Sequence, residues 1–385
     1  MKKFLLVIFS FFLFCGNLFA FEWGGLFKNE SKMELMLDSE NENKQSSTFS
    51  QNNGLFLWLS TPISQDGNWI FKTEISYNFK YNSVSDTKIQ NIIDCGLLKV
   101  SGLIPLKTGL IDIAFGRFSV SDKTGSIFST TSDGVSCNVH LSRFNLGVYT
   151  GYTGFTNLLT GNGFNGFVAD SNVQLYILQA GSIPVICNFE LPSLFANQSL
   201  SVQALLDFDC TKTKSIGNKM YGTLALEGPI ISKLFYSFQT TFGTEAFGNV
   251  MNSTSLKVMC YPLQFFNFNV GVQYASGDEL VFAPFKTVTA NAINPIIDTQ
   301  YTDGVFPTVA LIFFSGPFYS KFEITGALNL FDGFDSADLF FKGVYGRLSA
   351  SLNIYSDLQI GLDMNAFVNM NQADFSAAIK ASFVF

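Results

Sequence analysis

The chain has 385 residues, a formal net charge of −7, 44 phenylalanines, a charged fraction of only 14% and a mean hydropathy of +0.25. The acidic balance argues against nucleic-acid binding, which needs a dense basic surface. After residue 20 no apolar stretch reaches the length of about eighteen residues that a helical membrane span needs. Because a bilayer accepts only helices or closed barrels, this composition predicts a β-barrel or, alternatively, a large soluble β-protein.

The N-terminal residues 1–20 predict a cleaved signal peptide. Lys2 and Lys3 form its positive region, 4–14 form its apolar region, and cleavage is expected after Ala20. The apolar region is too short for a helical span. Cys15 follows a phenylalanine where a lipoprotein signal needs a small residue, so cleavage is favoured over lipidation. Residues 21–30 are then predicted to form a short periplasmic lead.

Apolar and polar residues alternate with a period of two through most of the remaining chain. The pattern is clearest in 71–81, 266–274, 318–330, 358–369 and 374–385. Alternate side chains of a strand point to opposite faces, so each run predicts one apolar and one polar face. The runs exceed the usual globular strand of about five or six residues and reach the roughly nine to eleven that cross a bilayer.

The connections support a barrel better than a sandwich, because barrels of the bacterial outer membrane have short periplasmic turns and longer extracellular loops. Loops are predicted near 39–52, 82–88, 121–132, 154–169, 209–218, 244–251, 277–305, 332–337 and 370–372. Turns are predicted near 62–67, 102–108, 142, 191–198, 229–231, 262–264, 316–317 and 355–357. These positions predict an all-β, transmembrane, antiparallel up-and-down barrel of about 16–18 strands over 31–385. Four predicted strands carry apolar residues on both faces: 89–101, 109–120, 170–190 and 306–315.

The terminal strand resembles the C-terminal β-signal of bacterial outer-membrane barrel proteins. Phe385 supplies the aromatic last residue, and Phe383, Ile379 and Phe375 lie two, six and ten positions before it. The resemblance implies that these residues form an assembly signal, which the barrel-assembly machinery reads during insertion. It therefore implies a place in the outer membrane of a diderm bacterium, in contact with its lipid, and defines no subfamily.

No catalytic, cofactor or metal site is predicted. The one histidine, His140, is predicted near a periplasmic turn, whereas outer-membrane hydrolases work near the outer leaflet. The cysteines are widely spaced, form no C-x-x-C pair and indicate neither a disulfide framework nor a zinc site. These mature cysteines are Cys95, Cys137, Cys187, Cys210 and Cys260.

The polar faces of the predicted strands provide candidate pore-lining residues of both signs, without the single-sign ladder of a strongly selective channel. They are Lys72, Glu74, Lys80, Asp207, Lys233, Lys257, Lys321, Glu323, Arg347, Asp363, Asp374 and Lys380. The longest loop, 277–305, is unusually apolar and is predicted to fold into the barrel mouth; a strand extension or an interaction surface is the alternative. Its candidate constriction residues are Phe282, Phe285, Val288, Ile293 and Ile296.

A barrel of this size leaves an aqueous channel unless it is plugged. The sequence therefore predicts passive diffusion of small hydrophilic solutes, without enzymatic activity. Two alternatives are a channel for hydrophobic substrates, similar to fatty-acid transporters, and a surface-exposed structural or adhesive barrel. A homo-oligomer is compatible with each of them. Trp23, Trp58 and Trp69 are candidates for an interfacial aromatic girdle.

Overall fold

The computed structural model of the chain describes residues 21–38, 46–84, 89–154, 181–210, 217–276, 282–289, 304–314, 321–329, 343–368 and 372–385. For 36–38, 304–314, 321–329, 343–345 and 372 it describes the backbone alone. The predicted signal peptide lies outside these ranges. Within them, no helix is long and apolar enough to cross a bilayer.

The described residues form eighteen strands, all in one sheet. The strands are β1 (Glu22–Asp38), β2 (Ser46–Pro62), β3 (Trp69–Asn82), β4 (Ile89–Leu106), β5 (Gly109–Ser121), β6 (Ser129–Leu141), β7 (Asn145–Tyr152), β8 (Ser182–Leu191), β9 (Ser199–Asp209), β10 (Lys219–Ile231), β11 (Leu234–Glu245), β12 (Val250–Leu263), β13 (Phe266–Ala275), β14 (Gly304–Phe314), β15 (Lys321–Asn329), β16 (Gly343–Asn353), β17 (Leu358–Val368) and β18 (Gln372–Val384).

The sheet closes on itself. Each strand pairs antiparallel with the next one in the chain, and β18 pairs antiparallel with β1, with Leu26 opposite Val384. At the seam the backbone N–H of Phe385 donates to the Gly25 carbonyl, and the N–H of Gly25 donates to the Phe385 carbonyl, both at 2.9 Å. A closed ring leaves no strand edge unpaired, which is the condition for a sheet to face hydrocarbon. The predicted antiparallel barrel of 16–18 strands is therefore confirmed.

The two ends of the barrel differ in the lengths of their connections. At the end predicted to be periplasmic, two residues join β4 to β5, β10 to β11 and β12 to β13. The longest connections, between β7 and β8 and between β13 and β14, lie at the opposite end. This alternation follows the predicted order of short turns and long loops. We refer to the two ends as periplasmic and extracellular.

The predicted periplasmic lead, 21–30, is wrong, because β1 begins at Glu22 and pairs with both β2 and β18. Gly24 and Gly25 interrupt the alternation that marks the other strands. A Cβ atom on Gly24 would meet the Trp58 ring at 2.4 Å, and one on Gly25 would meet the Phe385 ring at 2.2 Å. The glycines thus make room for two aromatic rings at the seam. Because they have no side chain, they also break the alternating pattern by which a strand is recognised in the sequence.

Side chains on the outward face of the barrel are mostly apolar and exposed. Exposed outward residues surround the wall, for example Phe27, Ile75, Val148, Phe242 and Ile379. The four residues of the predicted assembly signal also lie on this face and are exposed: Phe375, Ile379, Phe383 and Phe385. Of the predicted girdle, Trp23 is outward, whereas Trp58 is opposite the inward Glu74 in register and lies over Gly24, so its girdle prediction is wrong.

One glycine of the wall gives a sharp test of the fold. Gly116 in β5 has φ +116°, and a Cβ atom there would lie 2.1 Å from the Leu98 carbonyl oxygen. We expect Gly116→Ala to lower the free energy of unfolding by about 2 kcal/mol or more, because the backbone conformation and the contact are both forbidden to alanine. Gly222→Ala is the matched control, since a Cβ atom at Gly222 meets nothing within 4 Å. Urea unfolding of the refolded barrels measures both; equal losses would contradict the register at Gly116.

Candidate functional site in the barrel interior

The inward faces of β16–β18 and β1–β3, which we call the polar sector, carry charged side chains of both signs. In the wall between β16 and β1, the Asp363 carboxylate is paired with Lys380 and lies 3.5 Å from the Arg347 guanidinium. Lys380 also lies 3.7 Å from Glu30. The Asp363 side chain is 9% exposed, so two cations neutralise a carboxylate that water scarcely reaches. This network joins four strands across the seam.

Exposed charges extend from this network along β1 and β3. Lys28, Glu34, Lys72 and Lys80 are exposed on the inward face, and Glu74 lies between the two β3 lysines. Lys72 is directly opposite Lys99 of β4 in register, so two like charges share one height of the wall. Inward charges that remain exposed require a wet interior on this side, because an apolar surrounding would not solvate them.

The structure places most of the predicted pore-lining residues on the inward face. These are Lys72, Glu74, Lys80, Lys257, Arg347, Asp363, Asp374 and Lys380. Lys321 and Glu323 lie opposite Ser351 and Ser349 in register, but their side chains are outside the described part of the chain. Their contribution to solute passage stays a prediction.

Two of the predicted residues are not lumen-exposed. Lys233 lies in the turn between β10 and β11, where its ammonium group donates to the Pro262 carbonyl at 2.8 Å. The register of β10 shifts between Pro229 and Ile231, so strand alternation cannot be extended to Lys233. Asp207 is inward but only 1% exposed. It lies opposite the buried Lys219 in register, and its carboxylate is therefore not exposed to the lumen.

Unlike the polar sector, the inward faces from β5 to β13 carry a group of apolar side chains near the extracellular end, beside buried polar groups such as Asp207 and Lys219. Buried side chains from these strands pack together in the interior, with exposures of 8% or less. We call this set the apolar cluster. Its strand residues are Ala114, Phe118, Tyr149, Ile186, Leu205, Tyr221, Met251 and Ala275. Phe118 and Tyr149 meet edge to face at 5.8 Å, and Tyr149 is hydrogen-bonded to Ser132.

The loop 122–128, between β5 and β6, folds inward and covers part of this cluster. The Asp122 carboxylate organises it by accepting the backbone N–H groups of Ile127 at 3.1 Å and Phe128 at 2.8 Å. Both apolar side chains enter the cluster, and Phe128 is 0% exposed. The N–H of Lys123 donates to the Gln203 side-chain oxygen at 2.9 Å, four strands further around the ring. The sequence reasoning missed this inward fold, although the adjacent Ile127 and Phe128 were a signal for it.

A second segment, 282–289, which we call the crossing segment, enters from the other side. Phe285 packs against the Tyr221 ring at 6.2 Å, and the Tyr221 hydroxyl donates to the Lys286 carbonyl at 2.7 Å. The N–H groups of Val288 and Thr289 both donate to the Ile127 carbonyl, at 2.9 and 3.1 Å. The segment therefore bridges from the extracellular end of β13 to the β5–β6 loop, seven strands away in a ring of eighteen.

The predicted constriction residues take three different positions. Phe285 and Val288 are buried in the apolar cluster, at 4% and 0% exposure. Phe282 instead packs against the outward Phe242 at 6.3 Å, at the outer rim. Phe282 therefore lies at the rim of the wall and not in the apolar cluster. Ile293 and Ile296 lie outside the described residues.

The titratable side chains give no catalytic arrangement among the described residues. His140 lies at the periplasmic end of β6, with its Nδ1 3.3 Å from the Asn145 side-chain oxygen. No group of three or more metal-ligating side chains occurs in the described ranges. The described cysteines, Cys95, Cys137, Cys187, Cys210 and Cys260, are free thiols, and Cys187 and Cys210 are exposed.

A closed antiparallel ring with an apolar exterior, polar interior and connections of unequal length at its two ends is a porin-like outer-membrane β-barrel fold.

Comparison with solved structures agrees with this fold. The chain is similar to Pseudomonas aeruginosa OpdQ, with a TM-score of 0.59 and 14% identity over 94% of this chain and 99% of that chain. It is similar to Pseudomonas aeruginosa OccK7 (OpdD), with a TM-score of 0.60 and 11% identity over 95% and 98%. Acinetobacter baumannii OccAB4 gives 0.59 and 10% over 96% and 99%. No protein-family model matches the chain, and no curated protein matches it. At these identities the likeness concerns the fold.

Proposed function

We propose that the chain is an outer-membrane channel for passive diffusion of small hydrophilic solutes, inserted after export through the signal peptide of residues 1–20. The observation that carries the proposal is the division of the interior. The apolar cluster and crossing segment pack together inside the barrel on the β5–β13 side, whereas the polar sector keeps exposed charges. A solute would therefore pass along the polar sector.

The mechanism needs no covalent chemistry. The crossing segment and the β5–β6 loop reduce the open cross-section and so set an upper limit on solute size. In the polar sector, cations and anions lie within a few ångströms of each other, as at Asp363 and Lys380. Such a wall replaces part of the hydration of a polar solute without retaining either charge sign strongly.

The apolar residues of the interior do not offer a path for a hydrophobic substrate. Phe285, Val288, Ile127 and Phe128 are buried against one another and against the wall. An acyl chain would need open apolar surface, and the cluster keeps its surface inside. Measurements of aqueous conductance and of fatty-acid uptake distinguish a channel for hydrophilic solutes from one for hydrophobic substrates. A barrel that neither conducts ions nor takes up fatty acid would favour a structural or adhesive role.

Planar-bilayer recording tests the proposal. We expect the refolded protein to produce stable unitary conductance steps in KCl. We also expect Lys28→Glu with Lys72→Glu to raise the cation-to-anion permeability ratio by roughly twofold or more, because both side chains are exposed on the inward face. Lys233→Glu is the matched control, since Lys233 lies in a periplasmic turn. Folded protein without conductance steps would overturn the proposed function, and an equal shift in the control would overturn the assigned path.

A further inference from the structure

Four polar side chains form a patch on the outward face, where the barrel meets lipid. Ser31 lies opposite Gln51 and Asn29 lies opposite Asn53 in the β1–β2 register. The patch is inside the apolar band, because exposed outward residues bound it on both sides along β1: Phe27 at 43% and Met33 at 51% exposure. We call Asn29, Ser31, Gln51 and Asn53 the amide patch.

The hydrocarbon of the bilayer offers no hydrogen-bond partners to the polar side chains of the amide patch. The Asn29 side-chain N–H₂ donates to the Asn53 side-chain oxygen, which uses one N–H of the pair. Each primary amide offers two N–H donors and an oxygen with two lone pairs, so the patch has further capacity in both senses. An unpaired polar group in lipid costs several kcal/mol, whereas another protein surface can supply both donors and acceptors.

A groove of 470 Å³ lies beside the amide patch, on the outward faces of β16–β18 and β1. Three of the residues that line it are small, namely Gly346, Ala366 and Ala377; Ala366 is opposite Gly346 and Ala377 is opposite Met364 in register. The larger apolar side chains that line it are Met33, Leu35, Leu348, Met364 and Phe375. The groove and the patch share β1, so they form one continuous outward face.

An exposed aromatic side chain lies on the other side of the patch, at the height of Met33, which lines the groove. Phe49 of β2 is opposite Met33 in register, is exposed, and lies 6.2 Å from the Tyr81 ring. When two copies pack around a symmetry axis along the membrane normal, the surface on one side of the contact faces the surface on its other side in the neighbour. With the amide patch at the contact, Phe49 of one copy would face the groove of the next at the same membrane depth.

We propose that a second copy of this chain packs against the amide patch and groove, so that the barrel forms a homo-oligomer in the membrane. The amides are self-complementary, since the same groups donate and accept, and the aromatic side chain of one copy fills the groove of its neighbour. An acyl chain could fill the groove but would leave the amides without partners. The assembly goes beyond the proposed channel activity and does not depend on it.

Cross-linking in intact membranes tests the interface directly. A photoreactive phenylalanine at position 31 is expected to give a covalent dimer of the chain, whereas the same residue at position 256, an exposed outward position on β12, is expected to give none. Light scattering in mild detergent should give the mass of at least two chains. A monomeric mass together with no dimer from position 31 would overturn the proposal, as would equal dimer from position 256.

Two variants separate the interface from the fold. Asn29→Leu with Asn53→Leu should yield monomers that still form a closed, heat-modifiable barrel. The matched control is Thr240→Val with Thr254→Val, which removes a hydrogen-bonded outward pair on β11 and β12, with 2.8 Å between the hydroxyl oxygens. Ala366→Trp, which fills the groove, should also give monomers. Oligomers that persist in both patch and groove variants would refute the interface. Because monomers keep their lumen, conductance from them distinguishes failure of this proposal from failure of the proposed function.

Discussion

Phe285→Ser combined with Val288→Ser is expected to raise the unitary conductance by roughly two- to threefold, by releasing the crossing segment from the barrel mouth. Burial of each apolar side chain contributes about 2 kcal/mol, more than the roughly 1 kcal/mol of a typical backbone hydrogen bond. Once both are polar, the remaining hydrogen bonds, which include the two to the Ile127 carbonyl and the one from the Tyr221 hydroxyl to the Lys286 carbonyl, are expected to hold the segment across the lumen only weakly. Single-channel recording in planar bilayers gives the measurement.

Phe247→Ser is the matched control for this variant. Phe247 is also an extracellular phenylalanine, in the connection between β11 and β12, but it is 80% exposed and touches no part of the apolar cluster. Its substitution should leave the conductance unchanged. If the double variant conducts like the wild type while its crossing segment becomes accessible to protease, the segment does not limit the path.

The ion pair between Arg117 and Asp133 makes the second large prediction. Arg117 donates to the two carboxylate oxygens of Asp133 at 3.0 and 2.7 Å. The pair lies on the outward face, two residues above the exposed Phe115 and two from the exposed Val135, and the Arg117 side chain is only 9% exposed. We expect Arg117→Ala to lower the free energy of unfolding by about 3 kcal/mol, because it leaves Asp133 without its cation.

Urea titrations in lipid vesicles, followed by tryptophan fluorescence, measure this loss. The double variant Arg117→Leu with Asp133→Leu should recover to within about 1 kcal/mol of the wild type, because replacing a whole buried pair by apolar residues is often neutral. Arg143→Ala provides the control, since Arg143 is exposed in the turn between β6 and β7. A double variant as unstable as the single one would show that the pair itself, and not the orphaned carboxylate, carries the stability.

Alternation predicted the wall well because a strand in a membrane has only two environments. The inward positions of Lys72, Arg347 and Lys380 follow from the parity of their strands, as does the outward position of Ile379. The lengths of the connections then predicted which end of the barrel is periplasmic and which is extracellular. Because these features depend on residues that are near each other in the chain, they can be predicted from the sequence pattern.

The division of the interior could not be predicted in this way. Two of the predicted strands with apolar residues on both faces, 109–120 and 170–190, overlap β5 and β8, whose inward Phe118 and Ile186 belong to the apolar cluster. Their inward apolar side chains are covered by loops that arrive from distant parts of the chain. The alternation of residues in the sequence shows that one face of a strand is apolar, but it does not show which distant segment covers that face. The position of Lys233 was predicted wrongly because of a register shift in β10. The start of β1 was predicted wrongly because two glycines interrupt its alternation.

The seam between β1 and β18 has a kinetic consequence. Leu26 and Val384 are neighbours in the sheet although nearly the whole chain separates them. Joining positions so far apart costs loop-closure entropy before any contact repays it, so ring closure is expected to be late and slow. Until then the growing sheet has two edges able to capture other strands. Protection of those edges during insertion, more than the strength of the finished wall, should decide how much protein reaches the membrane intact.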